Sequence, residues 1–76
     1  MRKSRIEYGS PLDALVAVAK RLSVYESRYG NTSEDFFHIF SSGQLEDSVD
    51  FVEWANDYRH YLAIRQDLER RLRHVA

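Results

Sequence analysis

At 76 residues the chain is one domain at most, near the size at which a single core supplies only about 3 to 5 kcal/mol of net stability, so an oligomer or a bound partner is expected to help. Cysteine is absent, which excludes a disulfide framework and a cysteine-ligated zinc site, and no apolar run approaches the roughly 20 residues of a membrane span. With 43% hydrophobic residues, ten aromatics and no signal-peptide pattern, the composition predicts a small folded domain located in the cytoplasm, with no membrane partner.

The net charge of −1 hides a strong internal separation. Residues 1 to 28 carry six basic and three acidic groups (+3), residues 59 to 76 carry five and two (+3), and residues 29 to 58 carry seven carboxylates with no Lys or Arg (−7). Those seven are Glu34, Asp35, Glu46, Asp47, Asp50, Glu53 and Asp57, interleaved with Phe36, Phe37, Phe40, Phe51, Trp54 and Tyr58. Charge steers an encounter and aromatic anchors hold it, so the segment points to binding a basic partner.

Residues 1 to 9 are basic, carry Arg2, Lys3 and Arg5, and end at Gly9, which reads as an arm outside a single helical domain over 10 to 76. A helix start follows at Ser10-Pro11-Leu12-Asp13: serine suits the N-cap, proline the first turn, and Asp13 faces free N–H groups. The first helix is predicted over about 11–29, with Leu12, Leu15, Val16, Ala19, Leu22 and Tyr25 on a wide apolar face that Val18 and Tyr29 extend. Gly30-Asn31 ends it.

A second, short helix is predicted over about 33–42, capped by Thr32 or Ser33, with Glu34 and Asp35 in its first turn and Ser41-Ser42-Gly43 as its stop. The third starts at Asp47-Ser48 and meets no glycine or proline afterwards, so a long helix over about 48–74 is expected. Its seam is Phe51, Trp54, Ala55, Tyr58, Tyr61, Leu62, Leu68, Leu72 and Val75, with Phe51 and Trp54 as anchors. The first helix is too short to cover it, which leaves Leu68, Leu72 and Val75 as a seam for homo-oligomerisation. The fold class is all-α: a helical hairpin of two long helices, a short helix between them, and the basic arm.

At 100° per residue, Asp50, Glu53 and Asp57 form one stripe beside the aromatic seam. Either this is a docking surface for a basic cleft, or it is a solvated face whose acids favour the helix N-terminus. Asp57-x-x-His60 with Glu53 has the spacing of half a metal site, but the first helix offers no histidine to complete it, and no metal or other cofactor is expected. No serine lies in a Gly-x-Ser-x-Gly context and no glycine belongs to a phosphate loop, so catalysis is not expected. Arg65, Arg70, Arg71 and Arg73 make a basic C-terminal end that either contacts phosphates or pairs along the helix, Asp67 with Arg71 and Glu69 with Arg73.

The stretch Ser33-Glu34-Asp35-Phe36-Phe37-x-x-Phe40-x-x-Gly43-x-Leu45-x-Asp47-x-x-Asp50-Phe51-x-Glu53-Trp54-Ala55-x-x-Tyr58-x-x-Tyr61-Leu62 resembles small antitoxin-like proteins of bacterial, notably cyanobacterial, two-gene toxin-antitoxin modules. The resemblance covers about 30 residues and is looser in the helix before them. It implies a cytoplasmic protein that binds and neutralises a cognate toxin, often a ribonuclease, with no catalytic residues of its own. No ribbon-helix-helix or helix-turn-helix accompanies it, so operator binding is not favoured. The expected partner-binding residues are Glu34, Asp35, Phe36, Phe37, Phe40, Asp47, Asp50, Glu53, Trp54 and Asp57. Two alternatives remain: a homo-oligomeric interaction protein, and a small nucleic-acid-binding regulator.

Overall fold

The computed structural model describes residues 10 to 75, with side chains through Arg73. It contains three helices, α1 (Pro11–Tyr29), α2 (Ser33–Ser41) and α3 (Val49–Val75), and no strand among the described residues. None is long and apolar enough to cross a membrane. The basic arm expected over residues 1 to 9 lies outside the described residues, as does the side chain of Val75.

Each boundary has a local chemical cause. Ser10 is extended, and its Oγ accepts the Asp13 N–H at 3.2 Å, with Pro11 opening the first turn. Gly30 ends α1 in the left-handed region (φ 67°), where a side chain would strain the backbone, and its N–H reaches the Glu26 carbonyl at 2.9 Å. Thr32 caps α2 by accepting the Asp35 N–H at 3.1 Å, and Ser48 caps α3 by accepting the Phe51 N–H at 3.1 Å. Ser33, the other expected cap of α2, has a different task.

That task is in the core. Trp54 of α3 is 1% exposed and receives rings from both other helices. Phe36 of α2 stacks on it at 3.8 Å between centroids and 1° between planes, and Tyr25 and Tyr29 of α1 lie at 5.6 and 5.7 Å, both nearly parallel to it. The indole N–H would be an unsatisfied donor in this apolar setting; it donates to the Ser33 Oγ at 2.9 Å, and Ser33 is itself buried. Leu22, Ala55, Phe51 and Phe40 close the cluster.

Helices α1 and α3 run antiparallel where they touch. Arg21 meets Asp57, Tyr25 meets Glu53 and Arg28 meets Asp50, so steps of four and three along α1 are answered by steps of four and three backwards along α3. The apolar face of α1 is narrower than its sequence suggests. Val18 and Leu22 are buried, but Leu12 and Val16 are 58% and 48% exposed and Ala19 is exposed too. These three lie about 60 to 120° round the helix from Leu22, outside the sector that α3 can cover.

Truncating a buried Trp typically costs about 3 to 5 kcal/mol, as much as a domain of this size has. Trp54→Ala should therefore be unfolded by circular dichroism at room temperature. Ser33→Ala leaves the indole N–H without its acceptor, at a cost of about 1 to 3 kcal/mol, and should fold with a clearly lowered Tm. A Ser33→Ala variant melting like the parent would show that water supplies the bond as well as serine does.

Candidate functional site

The seven carboxylates of residues 29 to 58 divide into two sets. Asp50, Glu53 and Asp57 turn towards α1. Asp50 accepts from the Arg28 guanidinium at 2.9 Å and from the Tyr29 hydroxyl, Glu53 accepts from the Tyr25 hydroxyl at 3.3 Å, and Asp57 accepts from Arg21 Nε at 3.3 Å. The hydrogen bond from Tyr29, then that from Arg28, holds the Asp50 carboxyl below the ordinary carboxylate range. The same bond holds the Tyr29 phenol above its ordinary value, and burial, then the charge of Glu53, raises that of Tyr25. The missing basic residues thus come from the preceding helix.

Glu34, Asp35, Glu46 and Asp47 form the other set. All four are exposed, and none makes an ion pair among the described residues. They bracket α2, two in its first turn and two in the segment leading to α3. Between them Phe37, Ile39, Phe40 and Leu45 are half-buried, each with an edge left to solvent. Arg59 of α3 lays its guanidinium over the Phe37 ring at 5.2 Å and bonds to Asn56, and makes no ion pair with these carboxylates.

A cleft of about 320 Å³ opens where the start of α2 meets α1 and α3. Glu26, Glu34, Tyr58, Tyr61 and Arg65 are among its lining residues. The Glu26 carboxylate accepts the Ser33 N–H at 2.9 Å, placing an anion from α1 at the N-terminus of α2. Burial, then the charge of Glu34, raises the Tyr58 phenol, while Arg65 opposes the shift and stacks over Tyr61 at 5.6 Å. No three His, Cys, Asp or Glu side chains converge on a metal position among the described residues. Glu53 and Asp57, considered as half of such a site, are engaged by α1.

Of the residues expected to bind a partner, Phe36 and Trp54 are corrected: at 2% and 1% exposed they are core and support the surface from behind. Asp50, Glu53 and Asp57 serve the α1–α3 contact. Glu34, Asp35, Asp47, Phe37 and Phe40 lie at the surface or its edge. Leu68 is half-buried and Leu72 is 69% exposed. The Asp67–Arg71 pair forms at 3.0 Å and Asp67 also takes Arg70 at 3.3 Å. The role of α1 was legible in one signal that local counting missed: Arg21, Tyr25 and Arg28 have the mirror spacing of Asp57, Glu53 and Asp50.

Comparison with protein-family models, with curated proteins and with solved structures found no match.

The shifted groups set the pH limits of stability. Asp50 and Asp67 have depressed carboxyls, so their contribution is present above the unfolded carboxylate value and lost as pH falls through the folded one. Tyr25, Tyr29 and Tyr58 are raised, so theirs is present below the unfolded phenol value and lost as pH rises through the folded one. Thermal melts should show a plateau between these ranges, falling on both sides. Asp50→Asn should flatten the acid limb; an acid limb as steep as the parent's would remove Asp50 from this role.

Proposed function

We propose that this chain is a binding protein that neutralises a basic partner, as the antitoxin of a two-gene module whose toxin is a ribonuclease. One observation supports the reading above others. Asp50 and Asp57 pair with arginines of α1 and Glu53 accepts from the Tyr25 hydroxyl, whereas Glu34, Asp35, Glu46 and Asp47 remain exposed and unpaired around the half-buried rings of Phe37 and Phe40. In this reading a hairpin of α1 and α3 is the scaffold and α2, at its corner, is the docking element. An enzyme that acts on RNA presents a basic cleft to a polyanion, and an acidic, aromatic corner can occupy such a cleft by matching its charge.

A nucleic-acid-binding role is less well supported by the C-terminal arginines. Asp67 bonds to both Arg70 and Arg71, drawing two of the basic groups of that end into pairs within the helix. Phosphate contact would have to compete with them.

The test is co-purification and titration with the product of the adjacent gene, together with rescue of growth when that gene is expressed. Changing Glu34→Gln, Asp35→Asn, Glu46→Gln and Asp47→Asn removes four charges and keeps shape. Rim charges act mainly on association rate and salt dependence. The fourfold variant should therefore bind at least about tenfold more weakly at low salt, lose most of the salt dependence, and rescue growth poorly. Equal binding at every salt concentration, with full rescue, would show that the acidic corner is only a solvated surface.

A further inference from the structure

The C-terminal half of α3 carries a second seam, adjoining the cleft between the helices at Arg65 and continuing beyond the reach of α1. Carried to Pro11, the register of α1 on α3 reaches about residue 67, and α3 continues to Val75. In that half, Leu62, Arg65, Glu69 and Leu72 are spaced three, four and three, the spacing of positions that meet across a pair of helices. At 100° per residue they fall within about 80° of one another. A groove of about 330 Å³ on this face is lined by Leu62, Arg65, Gln66 and Glu69, all from α3, so neither α1 nor α2 covers it. Leu72 stands 69% exposed at its end.

The two charges of the seam are available. Arg65 and Glu69 are four apart on one helix, yet no ion pair forms between them, and the arginine rests over the Tyr61 ring instead. The order Arg before Glu is the weaker one for a pair within a helix. Arg73, four residues beyond Glu69, makes no ion pair with it either. The resulting pattern is Leu, Arg, Glu, Leu, and its reverse is Leu, Glu, Arg, Leu. Laid against itself antiparallel, every position therefore meets its complement. Laid parallel, arginine would meet arginine and glutamate would meet glutamate.

We infer that this face binds a second copy of the chain, with the two α3 helices antiparallel, Leu62 against Leu72 of the partner subunit and Arg65 against Glu69 of the partner subunit. The two-fold axis passes near residue 67, so each contact occurs twice. The leucines close the two ends of the contact, and the crossed ion pairs set its direction and register. This pairing is independent of the antitoxin reading, since it leaves the acidic residues around α2 uncovered by its own contacts.

Sedimentation velocity of the full chain from low to high micromolar concentration tests it. The parent should pass from monomer to dimer across that range. Arg65→Glu alone and Glu69→Arg alone set like charges opposite one another twice, and each should raise the dissociation constant at least about tenfold. An equimolar mixture of these two variants should dimerise again, because one chain then presents two glutamates and the other two arginines; the double variant Arg65→Glu with Glu69→Arg should also dimerise. Circular dichroism establishes that each variant keeps its helices. A parent that stays monomeric throughout, single variants that dimerise as the parent does, or a mixture that remains monomeric would each overturn the pairing.

Discussion

The stack of Phe36 on Trp54 is the contact on which the other arrangements depend. It joins α2 to α3, and the same indole meets Tyr25 and Tyr29 of α1, so one side chain fixes three helices relative to one another. Among the described residues few other hydrophobic side chains are buried to hold the fold: Val18, Leu22 and Ala55. The polar edge of the indole restricts the fold further. It must end beside an acceptor, and Ser33, whose own N–H donates to Glu26 at the start of α2, supplies one. Position along the chain and packing in the core are thereby coupled through one hydrogen bond.

Electrostatics then distinguishes one side of α3 from the other. Asp50, Glu53 and Asp57 lie opposite Arg28, Tyr25 and Arg21, and the match fixes the register of α1 on α3. Exposed ion pairs contribute little stability singly. Their value here is in direction: a shift of α1 by one turn would break both the Arg21–Asp57 and the Arg28–Asp50 pairs. What remains outside this match is a set of exposed carboxylates without an ion-pair partner among the described residues, and that remainder is what makes the surface around α2 a candidate for a partner.

Helix boundaries were legible because they depend on nearest neighbours. Ser10-Pro11, Gly30 and Ser48 act within four residues of themselves, and each does what its type predicts. Long-range matters were less legible. Leu12 and Val16 satisfy the helical period of the first helix as well as Leu22 does, but the sector that α3 can cover is decided by its width and crossing, which no single helix encodes. Charge counting in a window assigned the whole acidic stretch to the surface, since Arg21 and Arg28 lie just outside it in sequence and directly opposite it in space. Trp54 and Phe36 show the same limit: an aromatic on a seam reads equally as core or as anchor until the facing helix is placed.

In the proposed function the seven carboxylates serve two separate purposes, three for the fold and four for a partner. Thermal unfolding of two isosteric variants measures this directly. The change Asp50→Asn, Glu53→Gln, Asp57→Asn removes charges that α1 compensates and should lower the Tm. The change Glu34→Gln, Asp35→Asn, Glu46→Gln, Asp47→Asn loses some favourable interaction with helix N-termini but relieves mutual repulsion, and should leave the Tm close to the parent's. The reverse result, a stable threefold variant and an unfolded fourfold one, would contradict the division on which the account rests.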